Sequence, residues 1–217
     1  MKKILAFMLV LLLALPAFAC ADVDITGMTL EELTQLRSQI DAAIAAMNAE
    51  SGAVLTSATR RNPAAVGQMV EITASYFSQY TVTMAVTVDE FYRGAAYDEL
   101  MTGLYAGSDP RDGNEYVAVK VTVKFLRIDE IDVEAAGTDD PEMMVDAIFN
   151  FTTYDSSGAE YDNIHYSITE LAELRSLYEG AETTGYFRFE IRQDDPAPYL
   201  VYEPVLYGDA TAWITLQ

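Results

Sequence analysis

Few residues in this chain could carry chemistry. His165 is the only histidine and Cys20 the only cysteine among 217 residues. A metal site built on paired histidines is therefore excluded, as is a disulfide within one chain. A Ser-His-Asp triad would have to use His165, which sits in "NIHYS" with no recognisable nucleophile turn. Neither a phosphate loop nor a dinucleotide fingerprint occurs. The sequence names no catalytic residue. Carboxylates are plentiful, and a facing pair with one member protonated is what glycosidic hydrolysis needs. A carboxylate-based extracellular hydrolase is thus the enzymatic alternative, and its signature would be a deep cleft holding two such acids.

Carboxylates also bind cations. Ile128 to Ala147 holds eight acids and no base, and calcium takes six to eight oxygen ligands. Asp129, Asp132, Asp139 and Asp140 are the candidate calcium ligands, although the EF-hand spacing is absent. The plainer expectation is a solvated acidic loop between two strands. No other cofactor is expected. The formal charge of −21 repels phosphate backbones and anionic headgroups, which argues against nucleic-acid binding and electrostatic membrane docking. It suits a soluble exported protein and would attract cations or basic partners.

Residues 1–21 have the form of a secretory signal. Lys2 and Lys3 are followed by the apolar run Ile4 to Leu15, then by small residues around "PAFACA". Cleavage after Ala21 would discard Cys20 and release a chain beginning at Asp22. A lipoprotein signal would instead leave Cys20 as an acylated N-terminus, although Ala17 and Phe18 match that pattern poorly. Either outcome makes the protein secreted or cell-surface, and a membrane enters only through the lipid anchor.

The elements that would position a site follow from periodicity. In residues 22–50, Thr29 and Glu32 have capping-box spacing, and Leu33, Leu36, Ile40 and Met47 form one apolar seam of a helix. That seam would pack on its own domain, dock a partner or self-associate. Residues 51–62 read as a linker. From Pro63 to Gln217 the period changes to two. Val82, Met84, Val86 and Val88 share one face against Thr81, Thr83 and Thr87. Val117, Val119, Val121, Val123 and Phe125 repeat this, and Phe187, Phe189 and Ile191 do so again. "AIFNF" reads as a strand containing Phe149 and Phe151, with a turn at Asp155 to Gly158 and a return at Tyr161. "AAYDELMTGLYAG" and "LAELRSLYEG" read as short helical insertions. The expected fold is mainly β, an antiparallel immunoglobulin-like sandwich with an N-terminal amphipathic helix.

Three segments and a closing strand, "EYVAVKVTVKF", "FNFTTYDSSGAEYD", "LYEGAETTGYFRFEI" and "AWITL", resemble a family of exported bacterial immunoglobulin-like domains of unknown function. That family is common in lipoproteins and often carries a misleading telomeric-repeat-binding label. The likeness spans Asn62 to Gln217. It departs from the family at Phe125-Leu126, where an asparagine is frequent, and at Arg192, where a proline is usual. It implies an adhesive or ligand-binding module of the cell envelope. The 14 tyrosines fit contact surfaces as well as strands. A non-catalytic module binding a protein, peptide or glycan is the leading functional expectation.

Overall fold

The computed structural model describes residues 54–76, 79–104, 109–162, 165–204 and 210–217, with Gly27, Thr29 and Leu33. The chain divides into two compact units, Met1–Ala42 and Ala43–Gln217. In the first, the Leu33 N–H donates to the Thr29 carbonyl at 3.0 Å, one turn of helix. The signal segment, Cys20, Leu36, Ile40 and Met47 lie outside the described residues.

In the second unit, alternating apolar residues build two sheets. The first has the order β2-β3-β4-β7-β6, from β2 (Val70–Tyr76), β3 (Tyr80–Tyr92), β4 (Asn114–Ile131), β6 (Tyr166–Ser167) and β7 (Glu182–Arg192). All its neighbours are antiparallel. The second has the order β1-β9-β8-β5, from β1 (Ala64–Ala65), β5 (Phe151–Tyr154), β8 (Tyr199–Tyr202) and β9 (Ala212–Thr215). Only the β1–β9 pair within it is parallel. Two short helices complete the fold, α1 (Ala95–Leu100) between β3 and β4 and α2 (Val133–Ala136) after β4.

The inward faces of the two sheets meet in one core. Val82, Met84, Val86 and Val88 of β3 are fully buried, as are Val117, Val119, Val121, Val123 and Phe125 of β4. Phe151 of one sheet packs on Phe187 of the other, ring centroids 5.0 Å apart, and on Tyr202 at 5.1 Å. Each such side chain contributes about 1.5–3 kcal/mol by leaving water. Tyr202 is the exception in kind, because its hydroxyl is buried with no hydrogen-bond partner among the described residues and burial drives its pKa upward. Tyr202→Phe is therefore expected to stabilise the domain by about 1 kcal/mol or more, read as a raised urea midpoint at constant m-value.

Several expectations need correction. Phe149 is not in a strand: β5 starts at Phe151, and Phe149 is 49 % exposed. It lies in a turn that precedes β5, in which Asn150 N–H donates to the Asp146 carbonyl and the Asp146 side chain accepts from Ile148 N–H. "LAELRSLYEG" is not helical. After a turn at Ile168–Leu171 it runs extended, Tyr186 N–H bonding the Ala172 carbonyl and Leu177 exchanging both backbone bonds with Met143. The acidic stretch is not one loop, because β4 continues to Ile131 and α2 follows, capped by Asp132. Within the expected linker, Leu55 bridges Val70, and Ala58 is buried with its carbonyl accepting from Trp213 N–H.

Candidate functional site

The outward faces of the two sheets carry the aromatic residues that the core does not use. On the four-stranded sheet, Tyr154, Tyr199 and Trp213 stand outward because they alternate with Phe151, Thr153, Leu200, Tyr202, Ala212 and Ile214, which are buried. Trp213 is the only tryptophan. Its ring lies 4.8 Å from that of Tyr154 and 5.7 Å, edge on, from that of Tyr199. All three rings are half-buried. Burial first, then the Glu160 and Glu203 carboxylates, raise the Tyr154 hydroxyl pKa. The result is an amphipathic platform rimmed by acceptors.

The five-stranded sheet bears a second aromatic cluster. Tyr97 and Met101 in and after α1 pack on Ala118 of β4 and Ile168, with Tyr92, Tyr116 and Tyr186 against them. Arg188 lies within this cluster, 8 % exposed, its guanidinium 4.6 Å from the Tyr116 ring centroid and 5.5 Å from that of Tyr166. Tyr166 is 46 % exposed. At the rim, Lys120 pairs with Glu90 at 3.0 Å, and the Tyr92 hydroxyl donates to the same carboxylate. Tyr97 and Met101 cover Ala118, so the outward side of β4 is dry at that residue. The cluster has the character of a second small core with Tyr166 exposed at its margin, whereas the three rings around Trp213 stand half-buried at the surface.

The four aspartates proposed as calcium ligands have separate duties. Asp129 accepts from the Thr83 hydroxyl and from Arg127, which together hold its pKa below the usual range. Asp132 caps α2 by accepting from Ala135 N–H. Asp139 and Asp140 are exposed, and Asp140 N–H donates to the Thr138 hydroxyl. Among the described residues, no three histidine, cysteine or carboxylate side chains converge as a metal site would require.

His165 is 5 % exposed, packed against Phe187 and Phe189 with centroids at 5.5 and 5.2 Å. Its Nδ1 lies 2.8 Å from the Ala147 carbonyl, which only accepts, so the proton resides on Nδ1. Nε2 then accepts from the Thr153 hydroxyl at 3.4 Å. Burial lowers its pKa, opposed by the Ala147 bond. The folded state therefore holds the ring neutral while the unfolded chain takes up a proton near pH 6.5. Stability is full above that pH and falls as pH drops through it, continuing down to the depressed folded pKa. That fall should be absent in His165→Gln when denaturation midpoints are compared at neutral and at mildly acidic pH.

Among the carboxylates with displaced pKa values, Glu90, Asp129, Asp155 and Glu190 are all lowered. Each is held ionised by hydroxyl, guanidinium, ammonium or amide donors. A general acid needs the opposite displacement. One cleft, of about 440 Å³, does contain two acids, Glu130 and Asp132, beside Tyr80.

No family model matches the sequence, and none of the curated proteins searched matches it. Two solved structures match over most of the chain at low identity and low TM-score. The YjhA protein of Bacillus subtilis has a TM-score of 0.41 and 15 % identity over 70 % of this chain and 98 % of its own. MPT63, a secreted protein of Mycobacterium tuberculosis, has a TM-score of 0.37 and 13 % identity over 71 % of this chain and 97 % of its own. At these values the likenesses say nothing about activity. The Trp213 platform, the Arg188 cluster and the burial of His165 all arise from pairings that no local pattern encodes. The one sequence signal for the platform was a ring beside apolar residues in each of "YLVY" and "AWIT", namely Tyr199 and Trp213.

Proposed function

We propose that this chain is an exported, non-catalytic immunoglobulin-like module that binds a protein, peptide or glycan of the cell envelope through the outward face of its four-stranded sheet. The observation that carries the reading is the Trp213 platform flanked by Tyr154 and Tyr199. Half-buried aromatic rings at a surface supply contact area at low entropy cost, and tryptophan and tyrosine are the residues most enriched at binding hot spots. The immunoglobulin-like reading is supported by strand order. The orders β3-β4-β7-β6 and β5-β8-β9 match the ABED and CFG sheets of a constant-type domain. Export is supported by the signal pattern of residues 1–21, with Cys20 either removed or acylated.

Because Trp213 is the only tryptophan, its fluorescence reports directly on the platform. Titration with soluble wall glycan fragments and envelope peptides is expected to shift or quench it. Trp213→Ala should weaken the same binding, followed by calorimetry, by about 30-fold or more, corresponding to a hot-spot loss of about 2 kcal/mol. Binding that survives the substitution unchanged would move the site elsewhere. Cleaved glycan products in the titration mixture would favour the carboxylate hydrolase instead, with Glu130 and Asp132 the acids to test.

A further inference from the structure

The five-stranded sheet has an edge that the chain begins to cover and then leaves. Leu55 runs parallel to Val70, its N–H donating to the Met69 carbonyl at 3.0 Å and its carbonyl accepting from Glu71 N–H at 2.7 Å. Three residues later the chain has changed sheets: the Ala58 carbonyl accepts from Trp213 N–H at 3.0 Å, and β1 continues beside β9. A sixth strand is thus started on β2 and abandoned.

The backbone that remains open follows from strand geometry. In an antiparallel pair, successive residues direct their N–H and C=O groups alternately to one side and the other. Since Glu71 directs its N–H to Leu55, Thr73 directs its N–H and C=O to the same edge. Among the described residues no backbone group bonds either one. Thr73 is exposed, and a cleft of about 520 Å³ lies against it, lined by Thr56, Ser57, Glu71, Thr73, Ala210 and Thr211.

Side chains around the cleft are polarised toward accepting. The Thr83 hydroxyl spends its only proton on Asp129 at 2.5 Å. The Thr73–Thr83 contact of 2.8 Å must then have Thr73 as donor, which leaves the Thr73 oxygen facing the cleft with lone pairs only. Arg127, the one base at the cleft, is engaged by Asp129 at 2.7 Å. Glu71 makes no ion pair among the described residues. Ile72 also lines the cleft and, like Ala74, is buried on the other side of the strand.

We propose that β2 is a strand-addition site for an extended segment of a partner polypeptide in which basic residues alternate with small apolar ones. The partner backbone completes the rung that Thr73 leaves open. Its lysine or arginine side chains lie beside Glu71 and the Thr73 oxygen, and its small apolar residues lie beside Ile72 and Ala210. Backbone hydrogen bonds supply affinity in this mode and alternate side chains supply the choice of partner. A second copy of this chain fits poorly, since each carries a formal charge of −21.

The test uses the mature protein and a labelled Lys-Ala-Lys-Val-Lys peptide, capped at both ends, followed by fluorescence anisotropy. Binding is expected, with at least about tenfold weaker affinity for the same peptide N-methylated at alternate amides and for its Glu-Ala-Glu-Val-Glu counterpart. Thr73→Pro should abolish it while leaving the fold intact by circular dichroism, because an edge-strand N–H outside the ladder can be dispensed with. Glu71→Lys, which leaves the backbone edge untouched, should reverse the preference between the two peptides. Undiminished binding of the N-methylated peptide, or of the basic peptide to Thr73→Pro, would overturn the proposal and indicate general attraction to an acidic surface. No binding of the basic peptide would overturn it too. So would a protein dimer that Thr73→Pro dissolves, since the occupant would then be a second copy. Trp213→Ala should leave peptide binding unchanged, so this edge and the aromatic platform can fail separately.

Discussion

Asp195→Ala is expected to cost the domain about 3 kcal/mol or more, the largest effect foreseen for a single polar side chain. Asp195 is 1 % exposed and joins two distant stretches of chain. Its carboxylate accepts from the Tyr161 hydroxyl at 2.6 Å, from Ser156 N–H at 3.2 Å and from Ala197 N–H at 3.3 Å. Its carbonyl accepts from Arg93 at 2.6 Å. Removing the side chain leaves at least three donors without the buried acceptor they share, and each donor orphaned away from water costs about 1–3 kcal/mol. Asp195→Asn keeps one acceptor oxygen and should lose less. The measurement is urea unfolding, with a fallen midpoint and an unchanged m-value. A loss below about 1 kcal/mol would mean that water reaches these donors. The neighbouring Asp155 adds an acid limb. The Ser157 hydroxyl, then the Ala159 and Ser157 amides and Arg192, hold its pKa below the ordinary value. Its contribution is complete above the unfolded pKa of about 3.9 and is lost as pH falls below that. That loss begins at a lower pH than the loss set by His165, whose unfolded pKa is near 6.5.

Gly185→Ala should be comparably damaging, for a steric reason. A methyl group there would sit 2.5 Å from the Leu174 backbone nitrogen, 2.8 Å from its Cγ and 3.0 Å from the Glu173 carbonyl carbon. Backbone must move to admit it. The segment that would shift is tied to β7 by Tyr186 N–H to the Ala172 carbonyl at 2.9 Å and by Arg175 N–H to the Thr183 hydroxyl at 3.1 Å. It also inserts Leu174 and Leu177 into the core. Overpacking of this kind costs about 1–3 kcal/mol before the broken bonds are counted. Hydrogen exchange should show the Tyr186 and Arg175 amides losing protection ahead of the rest of β7. Protection equal to wild type at both would mean that β7 yields instead. Gly158→Ala is the useful contrast. Its nearest obstacle is the far end of the Arg60 side chain at 2.6 Å, which can swing away, so only the φ of 89° opposes the change, at about 1 kcal/mol.

The central strands were legible because burial on one face imposes a period of two. Every apolar residue assigned inward on β3, β4 and β7 is fully buried, and the turn at Asp155 follows from an aspartate that accepts its own turn amides. The helix read into "LAELRSLYEG" failed for an equally physical reason. Leu171, Leu174 and Leu177 recur every three residues, as a helix face would, yet Leu174 and Leu177 are buried by docking extended against β7 and Met143. Periodicity reports which residues need cover. It does not report the element that provides it.

The candidate surfaces divide in the same way. Composition, charge and the period of short runs determined that this is an acidic, mainly β chain with one histidine, one cysteine and no recognisable catalytic motif, since those properties belong to residues taken singly or in short runs. Only the tertiary structure decided that Trp213 stands between Tyr154 and Tyr199, that Asp195 holds Tyr161, and that Leu55 starts a strand which Ala58 abandons. Each of those depends on strand order and register, and both are set by which apolar faces bury each other across long stretches of sequence.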